Sequence, residues 1–231
     1  MIDPRPFERL GAFNNDWLAA RYHFSFSGYH NPRRMNWGAL RVWNDDTIRA
    51  KSGFAPHAHE NMEIITYVRT GAITHEDSLG NRGRTEAGDV QVMSAGAGVT
   101  HAEYNLEDVD TTLFQIWIEP KVTGGAPFWK AAKFPKGDGL KVLASGFEDD
   151  LAAGALPIRQ DARVLGGALL AGARAHYEPG AARNVYLVVA KGEALVNGER
   201  LGPRDGAALT GEASVSIEAV ADSEIVLVDA P

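Results

Sequence analysis

Short runs rich in Val, Ile, Tyr and Thr recur along the chain, and the 3.6-residue apolar spacing of an amphipathic helix is nearly absent. The clearest runs are Met62–Val68, Val90–Met93, Thr112–Ile118, Val185–Val189, Val215–Val220 and Ile225–Val228. Only Phe147–Ala153 allows a turn or two of helix. Between the runs stand turn signals supplied by 25 glycines and 11 prolines. Asp77-Ser78-Leu79-Gly80-Asn81 is one such signal, and the Asn197-Gly198 pair within Ala194–Leu201 is another. Asn-Gly is the strongest hairpin signal, because both residues accept the positive φ of a type I′ turn. Asn44-Asp45-Asp46 reads as a further turn, where Asx side chains bond their own backbone. Short strands joined this way confine the chain to an all-β fold of sandwich or small-barrel type.

A weak internal repeat divides the 231 residues. Glu63–Gly71 lies over Asn184–Gly192 without a gap, and Ala87–Ser94 over Pro203–Thr210. Each half is therefore expected to form one β-barrel of similar plan. The N-terminal barrel spans residues 1–123 and the C-terminal barrel 140–231, joined by a Gly/Pro/Lys linker over 124–139.

Thirty acidic against 23 basic residues give a net charge of −7, which argues against a general phosphate-backbone binder. Arg33-Arg34 and Arg82/Arg84 are candidates for a local basic patch, although most such pairs are merely solvated. No apolar run approaches the ~20 residues of a membrane-spanning helix. The opening Met-Ile-Asp-Pro-Arg-Pro-Phe lacks the apolar stretch of a secretory signal, so a cytoplasmic location is expected. Without cysteine there is no disulfide, thiolate metal site or cysteine nucleophile. No phosphate loop, nucleophile elbow or dinucleotide fingerprint is present.

Histidine carries the chemistry. His57 and His59 are one residue apart, and on a strand such residues share a face. His101 and Glu103 repeat the spacing after a glycine-rich turn. If the two segments pair, three imidazoles and a carboxylate converge, a donor set suited to Fe(II), Mn(II), Ni(II), Cu(II) or zinc. Glu63 has the same strand parity but lies ~13 Å from His59 at ~3.3 Å per residue unless the chain bends. It is read as a hydrogen-bond acceptor or the partner of an arginine. His75, followed by Glu76-Asp77, reads as a solvated hairpin end. His23 and His30 read as packing or capping residues, and His176 as a surface or interface residue.

Gly53-Phe54-Ala55-Pro56-His57-Ala58-His59-Glu60-Asn61-Met62-Glu63 resembles the first cupin motif, and Gly88, Ser94, Gly96, Gly98, His101 and Asn105 resemble the second. More narrowly, Leu40–Asp46, His57-Ala58-His59, Met62-Glu63-Ile64, Met93–Gly96 and His101-Ala102-Glu103-Tyr104-Asn105 resemble the pirin family of bicupins. The likeness runs from about His23 through Pro120 and continues more faintly to the end. The chain departs from the general cupin pattern in three places. Only three residues separate Gly53 from His57, Ser94 replaces a proline, and Gly96 and Gly98 imply a small insertion before His101.

The resemblance implies a bicupin of two antiparallel jelly-roll barrels with one mononuclear metal in the first. It implies Fe(II), with Mn, Ni, Cu or Zn as alternatives, held by His57, His59, His101 and Glu103. General cupins would use Glu63 as the fourth ligand instead. It further implies a quercetin 2,3-dioxygenase, an oxidoreductase acting on a flavonol and dioxygen. A carboxylate at the metal's edge can accept the flavonol hydroxyl proton, so Glu103 is expected to serve also as catalytic base. A non-enzymatic alternative is an iron-dependent redox sensor that binds and regulates a transcription factor or metabolic enzyme. Monomer is the default state. The repeat places Glu178, Gly180 and Asn184 where the first half has His57, His59 and Glu63, so no second metal site is expected.

Overall fold

The computed structural model of the chain describes residues 1–134, 137 and 139–231. Its strands form four sheets in four layers. The outer layers carry four strands each and the inner two carry seven. Strands of the inner layers are covered on both faces, which is why they read as unbroken apolar runs rather than alternating ones.

In the N-terminal half the large sheet runs, edge to edge, Phe128–Ala132, Val90–Ser94, Glu63–Thr70, Thr111–Ile118, Leu40–Ile48, Leu18–Tyr22 and Gly11–Asn14. Its partner runs Ser52–His59, Val99–Asn105, Ala72–Asp77 and Arg82–Glu86. Leu18, Ile48, Val68 and Leu113 of the first meet Ile73 of the second. In the C-terminal half, Val185, Leu187, Leu209 and Leu227 of the large sheet pack on Val196, Val215 and Ile217 of the small one. That interior is aliphatic.

The two large sheets stack back to back. Trp43, Ile65, Tyr67, Phe114 and Ile116 from one pack on Val164, Tyr186, Val188, Val226 and Val228 from the other. Alternation along Glu63–Thr70 then has a fixed meaning. Ile65 and Tyr67 face the other half, and Thr66 and Val68 face the N-terminal interior.

The repeat is preserved in register. Glu63 pairs with Ser94 and Tyr67 with Val90, while Asn184 pairs with Thr210 and Val188 with Gly206. Asn197 and Gly198 form the expected two-residue hairpin loop, both at positive φ (46° and 87°). The short helix is Glu148–Ala152.

Five expectations change. The sheets are open sandwiches and do not close into barrels. Among the described residues they are antiparallel except for one short parallel pair, Lys141–Ser145 with Leu156–Pro157. The stretch expected to be a linker contains the strand Phe128–Ala132, paired to Val90–Ser94; its Pro135, Lys136 and Asp138 lie outside the described residues. Ile2–Arg5, assigned to the first half, pairs with Gly206–Thr210 of the second.

Asn44-Asp45-Asp46 is no turn but the buried middle of Leu40–Ile48. Asp45, fully buried, is ion-paired to Arg69 of its own half and, at 2.5 Å, to Arg204 of the other. Arginines brought from distant segments make a charged residue tolerable inside a strand. No helix among the described residues is long and apolar enough to cross a membrane.

Candidate metal centre

The site lies between the two sheets of the N-terminal half. Along Ser52–His59, His57 and His59 are shielded while Ala58 between them is exposed, as period-2 alternation requires. The neighbouring strand sets His101 directly opposite His57, and Val99 opposite His59. The register then slips, so that Glu103 meets Phe54. Ala55 and Pro56 therefore face a single residue, a bulge that suits proline because no ladder N–H is required there. The bulge also frees the Ala55 carbonyl, which accepts a hydrogen bond from His57 Nδ1 at 2.8 Å. A carbonyl only accepts, so Nδ1 carries the proton and Nε2 keeps its lone pair.

The three imidazoles close on one another, with ring centroids 4.5 Å (His57–His101), 4.8 Å (His57–His59) and 5.1 Å (His59–His101) apart. One nitrogen from each lies within 4.8 Å of the others. His101 Nε2 is buried without a hydrogen-bond partner, an uncompensated cost that a metal bond would remove. Burial, then the neighbouring His57, holds His59 down at about 4. Burial, then the adjacent histidines, holds His101 down at about 3. Neutral imidazoles are the form that ligates a metal, so the donor set fits a borderline divalent cation.

Glu103 is buried and does not complete that group. It clusters instead with His75 and His101, again within 4.8 Å. Its Oε1 accepts from Gln91 Nε2 at 2.6 Å and from the Thr66 hydroxyl at 3.4 Å. Its Oε2 accepts from Gln115 Nε2 at 2.7 Å. Both amides are oriented from behind, because Trp117 Nε1 donates to Gln115 Oε1 and the Thr85 hydroxyl donates to Gln91 Oε1. Burial nevertheless outweighs these donors and pushes the carboxyl up to about 7.

Glu63 is excluded from the site. The chain turns between the two strands at Asn61, whose φ is 51°, and resets the parity. Glu63 then faces the other half, accepting from Ser94 Oγ at 2.7 Å and from the Arg159 backbone N–H at 3.1 Å.

His75 reverses its reading as a solvated residue. It is fully buried, sits opposite Glu103, and stacks on Trp129 at 5.1 Å with 8° between ring planes. The one available signal was the Phe128-Trp129 aromatic pair within an apparent linker. Of the other histidines, His23 is buried against the Tyr186 hydroxyl at 2.8 Å, and His30 and His176 are exposed. Arg82 and Arg84 are paired with Glu76, Glu86 and Glu107, so they form no free basic patch. His59 also lines an open groove of about 330 Å³ with Glu60, Gly98 and Val99, within the range of small-molecule clefts.

Comparison with known proteins agrees with this architecture. Residues 5–118 match the family model described as Pirin, and residues 142–230 match the quercetinase C-terminal cupin domain. A pirin-like protein of Caulobacter vibrioides is 60% identical over the full length of both chains. A quercetin 2,3-dioxygenase of Escherichia coli is 39% identical, covering 100% of this chain and 99% of its own. The crystal structure of the Escherichia coli pirin YhhW in complex with nickel(II) superposes with a TM-score of 0.95 at 39% identity, covering 100% of this chain and 99% of that one. With that identity spread over the whole length, a cupin-type all-β architecture and a histidine cluster ready for metal, the chain belongs to the pirin family.

Proposed function

We propose that the chain is a metal-dependent dioxygenase acting on a flavonol such as quercetin. His57, His59 and His101 hold one divalent ion, Fe(II) by preference, and Glu103 is a weak fourth ligand and proton acceptor. The observation that carries the reading is the convergence of the three imidazoles of His57, His59 and His101, with a bare buried Nε2 on His101, beside the buried carboxyl of Glu103. When bound, such an ion would supply Lewis acidity to the flavonol's adjacent oxygens and an electron reservoir for dioxygen.

The protein's own groups do the remainder. A carboxyl at about 7 suits a general base at neutral pH, able to hold the flavonol 3-hydroxyl proton on one oxygen. Gln91 and Gln115 keep that carboxylate in place. Trp117, set edge-on to His59 at 4.9 Å, presents an aromatic wall to a planar ligand. The N-terminal half carries the chemistry, and the C-terminal half is a packed support.

The test is dioxygen uptake with quercetin by protein stripped of metal and reloaded with Fe(II). Uptake that depends on Fe(II) and vanishes in His101→Ala is expected. No uptake from protein that retains stoichiometric iron would refute the enzyme reading and favour a redox-sensing binding protein. Glu103→Gln should keep most of the metal and lose turnover; unchanged turnover per bound ion would remove the base.

A further inference from the structure

Behind His101 lies a second line of polar groups that the proposed reaction leaves unused. His101 Nδ1 is 3.4 Å from His75 Nδ1, and His75 Nε2 is 3.0 Å from Asp77 Oδ2. Both side chains of the His75–Asp77 pair are fully buried. The three come together because Ala72–Asp77 pairs with Val99–Asn105, setting Asp77 opposite His101 and His75 opposite Glu103.

Proton placement along this line is determined from its far end. Asp77 Oδ1 accepts from the backbone N–H groups of Leu79 and Asn81, each at 3.0 Å. Asn81 Nδ2 donates to Oδ2 at 2.9 Å. The carboxylate is thus pinned by the turn it initiates. A carboxylate can only accept, so His75 carries its proton on Nε2 and presents a bare Nδ1 to His101. His101 must then carry its proton on Nδ1, and its lone pair is left on Nε2. That is the atom found buried without a partner, on a ring whose centroid lies 4.5 Å from that of His57 and 5.1 Å from that of His59. Trp129 lies flat on His75 and shields the contact from water. Gly83 lets it do so, since a Cβ there would fall 2.1 Å from the indole.

We propose that Asp77, His75 and His101 form a hydrogen-bonded chain that fixes the His101 tautomer and aims its Nε2 at the metal position. His75 and Asp77 are positioning residues that touch neither metal nor substrate. The proposal rests on the metal-centre reading above only for the purpose of the chain. The chain itself is a statement about where two protons sit. Partners one shell behind a ligand commonly govern metal affinity by about 10–100-fold.

Two measurements test it. Long-range proton–nitrogen correlation spectra of the metal-free wild-type protein should show His101 protonated on Nδ1 and His75 on Nε2. A proton on His101 Nε2 would overturn the proposal without recourse to any variant. In Asp77→Asn the backbone donors retain the amide oxygen, so the amide NH₂ faces His75 and the chain should invert. Its expected signature is a proton on His101 Nε2 and nickel(II) affinity lowered by about 10–100-fold in calorimetric titration. His75→Leu should lose a similar factor. His75→Asn, which restores an acceptor near Nδ1, should recover most of it. Equal affinity in the Leu and Asn variants would also overturn the proposal. A wild-type protein with the assigned tautomers and no nickel binding would refute the metal centre and leave the hydrogen-bonded chain standing.

Discussion

Glu103 offers a quantitative test of what burial does to the site. In the metal-free protein its carboxyl is pushed from 4.5 to about 7, chiefly by burial. At about 1.4 kcal/mol per pH unit, that displacement is worth about 3 kcal/mol. The sign follows from proton uptake. The folded value lies above the unfolded one, so the stabilisation is complete below 4.5 and is lost as pH rises through 7. Most of that loss, about 2–3 kcal/mol, falls between pH 5 and pH 8.

Glu103→Gln removes the titration but introduces an NH₂ group facing donors that Trp117 and Thr85 hold in place. That mismatch costs about 1–3 kcal/mol at any pH. Urea unfolding of metal-free wild type and variant at pH 5 and pH 8 gives four stabilities. The variant should gain about 2–3 kcal/mol on the wild type between the two pH values, whatever its constant offset. A pH-independent difference would show that the amide donors cancel burial, and a change of opposite sign that they exceed it. Loading the wild type with a divalent ion should flatten its dependence if the ion lies beside this carboxylate.

Two further outcomes follow from the same physical terms. Asp45→Ala leaves the mostly buried Arg69 without its anion and frees Arg204, and should cost about 3–5 kcal/mol in chemical denaturation; a loss below 1 kcal/mol would show the cluster to be solvated. His59 and His101 have folded values below the unfolded 6.5, so the unfolded chain takes up protons first and stability should fall as pH drops from 6.5 toward 4. Unfolding midpoints of the metal-free protein at pH 7, 6 and 5 check this, and an unchanged midpoint in Glu103→Gln over that range would contradict it.

The strands were legible because the inner sheets are covered on both faces and leave apolar runs in the sequence. The gathering of His57, His59 and His101 was legible because a strand turns an alternate-residue spacing into a shared face, whereas Glu103 stands beside His101 in a group with His75. His75 was hidden, since Glu76 and Asp77 beside it look like a solvated turn. What buries it is Trp129, on a strand rich enough in Gly and Pro at its flanks to pass for a linker. Asp45 was hidden for a related reason: its charge suggested a turn, and the arginines that neutralise it stand far away in sequence. Local pattern reports periodicity well; it carries no record of which distant side chain will arrive to cover a charge.

The strand Ile2–Arg5, which edges the large sheet of the opposite half, bears on how the molecule is made. Its partner Gly206–Thr210 emerges from the ribosome some 200 residues later, a wait of about 10–40 s at about 5–20 residues per second. Until then the first strand has nothing to pair with and the second sheet has no finished margin. A gene cut between the halves would yield one product trailing an orphan strand and another with a bare edge open to aggregation. The two sandwiches, alike in register, are therefore stitched into one heritable unit and are not exchangeable modules.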